Sequence, residues 1–144
     1  MTGNPLESDY AAADSSPGFL LWRVSNAWQR AIRAALTPHG LTHTQYVLLA
    51  VLVHSAEEHL TQRNLADKAH IDIMMTSQVL RTLETAKHIT RSPHPIDRRA
   101  MNVQATTHGR HTVIAATKDV ETIDREFFGA RAAEAATLFT HLGA

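Results

Sequence analysis

The 144-residue chain has no cysteine, which removes disulfide scaffolds, thiolate metal sites and thiol redox switching. No apolar run approaches the length of a membrane span, so no membrane partner is expected. The opening MTGNPLESDYAAADSSP lacks the basic and apolar regions of a signal peptide, and a cytoplasmic location is the expectation. Neither a phosphate-cradling glycine loop nor a nucleophile–base constellation is visible. The chain reads as no enzyme, and no cofactor is expected. It also lacks net charge, since 14 Lys and Arg balance 14 Asp and Glu.

What is present is an ordinary single domain's worth of chain with 44% apolar residues, enough for a real core. The zero net charge hides an asymmetry. Residues 1–60 hold three Lys and Arg against five acids, residues 61–110 hold eight against four, and residues 111–144 hold three against five. The middle block also contains His70, His88, His94 and His108. A basic centre between acidic flanks suits a phosphate-contacting module on a neutral scaffold.

Residues 1–15 are polar and aperiodic and read as a mobile tail. Ser16-Pro17 is a helix start, after which Leu21, Val24, Trp28, Ile32 and Ala35 recur at helical spacing until Pro38 and Gly40. THTQ at 42–45 is a capping box opening a helix with Tyr46, Leu49, Leu52 and Val53 on one face. Two short helices follow: one from Thr61 burying Leu65, Ala66 and Ala69, the other from Asp72 burying Ile73, Thr76, Val79, Leu80 and Leu83. Their separation is that of a helix-turn-helix. HITRS (88–92) and MNVQA (101–105) read as strands about a Pro-rich turn, with Met101, Val103 and Ala105 facing inward. Thr106 caps a long helix in which Val113, Ala116, Val120, Ile123 and Phe127 form a heptad-like seam. Gly129 breaks it, and an apolar segment with Leu138, Phe139 and Leu142 closes the chain.

The fold class expected is mainly α: a winged helix-turn-helix with a two-stranded wing, flanked by N- and C-terminal helices. At this point the chain resembles the MarR-type transcriptional regulators. The matching stretches are LTHTQYVLLAVL (41–52), LTQRNLADKA (60–69), LRTLETAKHITR (80–91), DRRA (97–100) and TTHGR (106–110), in the family's order and spacing. Lys87-His88 stands where the family usually has Gly-Leu, Ala105 where it has leucine, and Gln78 where many members have arginine. The resemblance implies a homodimer on a pseudo-palindromic double-stranded operator, a repressor relieved by a small-molecule effector. Residues 16–41 and 107–144 would dimerise, and 42–106 would bind DNA.

The residues themselves support roles within that frame. Met74, Met75, Ser77, Gln78 and Arg81 share the side of the second short helix opposite its apolar face. Gln can bond adenine on two edges, and methionine can touch thymine methyls. Thr61, Gln62 and Arg63 open a helix and would approach phosphates. In the turn, strand alternation puts Asp97 and Arg99 on one side and Arg98 on the other. Asp97 is expected to hold the Arg99 guanidinium in a fixed direction for a minor groove. The seam residues, with Leu138 and Leu142, are the expected dimer interface. Trp28 and Tyr46 are the candidate walls of an effector pocket.

Two alternatives stay open. Ten histidines allow a zinc-sensing regulator using His39, His43, His108 and His111, although no glutamate lies between two histidines as in a zinc hydrolase helix, and no metal is the primary expectation. The other is a winged-helix protein-interaction module without specific DNA binding.

Overall fold

The computed structural model describes residues 5–56 and 58–144. Among these residues six α-helices and one hairpin follow the order α1 (Pro17–Leu36), α2 (His43–His54), α3 (Gln62–Ala69), α4 (Ile73–Thr85), β1 (Ile89–Pro93), β2 (Met101–Ala105), α5 (Thr107–Phe128) and α6 (Ala132–His141). Side-chain caps fix most of the helix starts. Ser16 accepts from the Phe19 amide, Thr42 from Gln45, Thr61 from Asn64 and Thr106 from Gly109. Such caps satisfy amides that a helix start leaves without an internal partner. Gly40 ends the turn after α1 at φ 68°, a backbone region glycine enters without a Cβ clash. None of the helices among the described residues is long and apolar enough to cross a membrane.

Of the stretch expected to be a tail, residues 1–4 lie outside the described residues. Ala13–Ser15 form a 3₁₀ turn, and the Asp14 carboxylate accepts from Arg23 of α1 at 2.7 Å. The end of that stretch is thus tied to α1.

The core is built by Ile32 and Leu36 of α1, Leu48, Leu49 and Leu52 of α2, Leu65 of α3, Leu80 and Leu83 of α4, and Ile89 and Val103 of the hairpin. α5 supplies Val113, Ala116 and Val120 to the same cluster, with Ile123 packed against it. This corrects the expectation of an open dimer seam: Val113, Ala116 and Val120 are buried within their own chain against α1 and α2. Ile73, expected to be buried, is instead exposed on α4, and of the helically spaced apolar residues of α1, Leu21 and Val24 are exposed as well.

The hairpin is antiparallel, pairing Ile89 with Ala105 and Pro93 with Met101. The other edge of β2 is also occupied, because the Val103 amide donates to the Leu60 carbonyl at 2.8 Å and Thr61 bridges Asn102. That third segment explains a departure from simple alternation: Asn102 is buried while Met101 is exposed. It also fastens the start of α3 to the wing.

The helix α4, the wing and α5 meet at Lys87 and His88. Lys87 lies at φ 62°, ending α4 in the left-handed turn that glycine usually occupies. Its carbonyl accepts from the Thr106 hydroxyl at 2.7 Å, and the His88 carbonyl accepts from the Thr106 amide at 2.9 Å. Gly109 lies so close that an added Cβ would overlap the His88 carbonyl oxygen. The buried His88 ring stacks on His108 with centroids 4.7 Å apart.

Two expected outcomes follow from this junction. Gly109→Ala should lower stability by about 1–3 kcal/mol, the usual cost of overpacking a filled site, measurable by urea unfolding; wild-type stability would refute the contact. Burial, helped by His108, holds His88 below the ordinary histidine range, so the unfolded chain binds its proton more readily. That contribution to stability is complete above about pH 6.5 and is lost as pH falls from there toward the native value. Burial and nearby Arg33 act in the same direction on His43, against a smaller opposing effect of Asp124. His88→Leu should therefore reduce, without abolishing, the acid-side fall in melting temperature; an unchanged profile would contradict the assignment.

Candidate nucleic-acid interface

The second helix of the helix-turn-helix begins where a carboxylate organises its amides: Asp72 Oδ1 accepts from Met74 and Met75 at 2.7 and 3.0 Å. Thr76, Leu80 and Leu83 face the core. The opposite side is left outward, with Met74 78% and Met75 51% exposed. Gln78 and Arg81 are also exposed, and Ser77 is half-buried. Large apolar side chains standing open beside an amide and a guanidinium have the make-up of a surface that meets both base edges and methyl groups.

At the start of α3 the Thr61 hydroxyl is already committed to the Asn64 amide at 3.2 Å, and Asn64 Oδ1 accepts the Thr61 amide at 2.9 Å. The Gln62 and Arg63 amides lie in the first turn, where helix geometry supplies no acceptor. Arg63 is exposed and Gln62 half-buried. A groove of about 600 Å³ runs between this helix start and the wing, bordered by Thr61, Gln62, Arg63, Asn64, Ile73, Arg91, His94 and Asp97. The starts of α3 and α4 and the wing base therefore border one concave, Arg-bearing surface.

The wing loop differs from the expected strand extension. Residues 94–100 form a closed turn in which the His94 amide donates to the Ala100 carbonyl and the Ala100 amide to the Asp97 carbonyl, both at 3.1 Å. Asp97 Oδ1 accepts the Arg99 backbone amide at 3.0 Å, and no Asp97–Arg99 ion pair occurs among the described residues. The correction is one of target: Asp97 orients the peptide that bears Arg99, because a carboxylate two residues back in a tight turn reaches the amide first. Arg98 and Arg99 are both exposed. His94, which sequence reasoning counted only as part of the basic block, proves central. Its Nδ1 accepts from the Ile96 and Asp97 amides at 3.2 and 3.0 Å. The visible signal was a histidine at the strand end followed by Pro95, a residue with no amide hydrogen to compete.

The remaining candidates separate. Trp28 lines an apolar cavity of about 420 Å³ with Leu21, Val24, Phe127, Phe128 and Phe139, and Tyr46 does not. Trp28 Nε1 donates to Asp124 at 2.8 Å, and the Tyr46 hydroxyl donates to Thr117 at 3.1 Å. Tyr46 is thus corrected from pocket wall to a polar tie onto α5. The four histidines of the zinc alternative do not gather: His39 bonds Asp119 at 2.6 Å, His43 meets the Trp28 edge, and His108 stacks on His88. Among the described residues no three His, Asp or Glu form a metal-holding group. Phe127, Leu138 and Leu142 of the expected dimer interface are exposed.

Comparison with known proteins agrees with this geometry. The sequence pattern of the MarR family matches residues 41–101. The HTH-type transcriptional regulator YdcH of Bacillus subtilis is 42% identical over 127 residues, 85% of either chain. CouR of Rhodococcus jostii RHA1, solved with p-coumaroyl-CoA, is 28% identical with a TM-score of 0.83, covering 92% of this chain and 93% of its own. The HTH-type repressor Rv2887 of Mycobacterium tuberculosis is 34% identical over 99 residues, 68% of this chain and 70% of its own. Its structure in complex with DNA superposes with a TM-score of 0.71 at 28% identity, covering 91% of this chain and all of that one. The chain belongs to the MarR family of winged-helix transcriptional regulators.

Proposed function

We propose that this protein is a homodimeric, cytoplasmic repressor that binds a specific double-stranded operator and is released by a small-molecule effector, acting by binding and not by catalysis. The observation that carries the reading is the convergence of the α3 start, the α4 start and the wing on one surface, beneath the exposed face of α4. Residues 42–106 form the DNA-binding region. Met74, Met75, Ser77, Gln78 and Arg81 enter the major groove, Thr61, Gln62 and Arg63 lie along phosphates, and Arg98 and Arg99 reach the minor groove. Relatives solved with DNA and with a small molecule support both halves of the proposal.

Residues 16–41 and 107–144 pair with those of a second copy. No residue of α6 is buried within its own chain, and Leu21, Trp22, Leu138 and Leu142 lie exposed on the terminal helices. Isolated apolar side chains are ordinary, but a set spread over both terminal helices marks a partner surface. Phe127 joins this set, whereas the inward part of the α5 seam does not. Two-fold pairing presents two recognition helices to half-sites about one helical turn apart, hence a pseudo-palindrome. An apolar effector in the cavity beside Trp28 would favour one spacing of the two lobes over another.

Gln78→Ala should cost about 1–3 kcal/mol on the best operator selected from a random duplex library and little on random DNA. Equal losses on both would remove Gln78 from base reading and favour non-specific contact. The companion Arg99→Ala should lessen the preference for A·T-rich flanks, where the minor groove is narrow and most negative. For assembly, the wild type should sediment as a dimer at micromolar concentration. Leu21→Glu with Leu138→Glu should sediment as a monomer, since charges would have to be buried unpaired. A monomeric wild type would overturn the pairing.

A further inference from the structure

We propose that His94 is a positioning residue for DNA binding: its neutral imidazole closes the wing loop through Nδ1, and taking up a proton there opens the loop and weakens operator binding. The inference rests on the reading that the wing arginines contact DNA.

The geometry is that of a helix cap transplanted into a loop. Asp72 Oδ1 accepts the amides two and three residues ahead, those of Met74 and Met75. His94 Nδ1 does the same with the amides of Ile96 and Asp97, at 3.2 and 3.0 Å. Pro95 fills the one intervening position and brings no amide hydrogen. Two converging N–H donors require a lone pair on Nδ1, so the ring hydrogen resides on Nε2. The His94 backbone amide closes the other end of the loop on the Ala100 carbonyl, and the ring lies edge-on to His59 with centroids 5.9 Å apart. Arg98 and Arg99 project from the segment enclosed by these bonds.

Protonation turns Nδ1 from acceptor into donor. The Ile96 and Asp97 amides then face an N–H and both lose their partner. The charged and titratable groups that border the same groove or meet the ring are His59 from the segment before α3, Arg63 of α3, Arg91 of β1 and Asp97 of the loop itself. Asp97 Oδ1 meanwhile keeps the Arg99 amide, so the bonds lost are those to the His94 ring. A pure charge account gives the opposite sign: one more cation on a DNA-facing surface should tighten binding.

The test titrates the full-length wild type, His94→Asn, His94→Ala and Arg99→Ala on one selected operator at fixed salt, at about pH 8 and about pH 5.5, the range over which histidines change charge. Asparagine keeps a short-range oxygen acceptor of the kind Asp72 uses and does not titrate. At the higher pH, His94→Asn should bind within about twofold of wild type and His94→Ala about tenfold more weakly, the loss expected of one or two hydrogen bonds. On acidification the affinity of wild type relative to His94→Asn should fall about tenfold. All other histidines, His59 included, are common to both proteins and cancel in that ratio. A flat or rising ratio, or wild-type binding by His94→Ala, would overturn the proposal. Arg99→Ala binding like wild type would overturn the wing reading on which it rests. Amide exchange without DNA distinguishes the two failures. Corrected for the intrinsic pH dependence of exchange, protection at Ile96 and Asp97 should drop in acid for wild type and not for His94→Asn. Unchanged protection would refute the loop closure itself.

Discussion

Recognition helix, wing and long C-terminal helix hang from two adjacent carbonyl oxygens, those of Lys87 and His88. Thr106 meets both, donating its hydroxyl to the first and its amide to the second, while its hydroxyl oxygen caps α5 through the Gly109 amide. One threonine thus sets where α5 begins, where the hairpin returns and how α4 terminates. Lys87 must hold a left-handed backbone there at φ 62°, a conformation costing a non-glycine residue about 1–2 kcal/mol. The bonds that over-determine it are the Lys87 amide to the Glu84 carbonyl at 3.0 Å and the His88 amide to the Leu83 carbonyl at 2.9 Å. With those in place, the angle between recognition helix and wing is a property of the backbone rather than of exposed side chains.

That rigidity is extended by α5, which is both core element and connector. Its Val113, Ala116 and Val120 complete the hydrophobic cluster with α1 and α2, so displacing the DNA-binding centre relative to α5 would open the core. The terminal helix α6 beyond it does not share this constraint, since it buries none of its own residues. A ligand or partner acting there would meet low resistance. Its effect would reach the wing as rigid-body movement of whole lobes, because packed interiors transmit displacement and do not absorb it.

The parts legible in the sequence were those decided by local chemistry. Ser16-Pro17, Thr42 with Gln45, Thr61, Asp72 and Thr106 each mark a helix start because a side-chain oxygen three or fewer residues from an orphan amide is a short-range fact. The hairpin and the helix-turn-helix followed from those boundaries. Long-range coverage was not legible. The spacing of Val113, Ala116, Val120, Ile123 and Phe127 shows that one face of α5 is apolar, but periodicity is silent on whether α1 of the same chain or a second copy covers it. Asn102 was misplaced for the same reason, because nothing in MNVQA announces the Leu60–Thr61 segment on its far edge. The alternation argument at Asp97 and Arg99 failed where the strand itself had ended and a turn had begun. Of the four histidines of the zinc alternative, His108 is instead taken up by stacking on His88 and His39 by its bond to Asp119.

The acids of the basic centre show why its charge surplus alone is a poor description of it. Residues 61–110 contain Asp67, Asp72, Glu84 and Asp97. Asp72 holds the first amides of the recognition helix, Asp97 holds the Arg99 amide in the wing, and Glu84 lies 3.5 Å from the buried edge of Arg91 beneath the hairpin. Two negative charges, those of Asp72 and Asp97, therefore shape the backbone on the surface proposed to meet phosphate, where Coulomb's law alone would exclude them. Their presence there is intelligible if direction matters more than potential. An arginine on a fixed peptide has fewer backbone states to lose on entering a groove than one on a mobile loop. A net charge of zero is compatible with such a design. Long-range attraction is weak beyond the Debye length in any case, and discrimination between sequences depends on where a few donors point once contact is made.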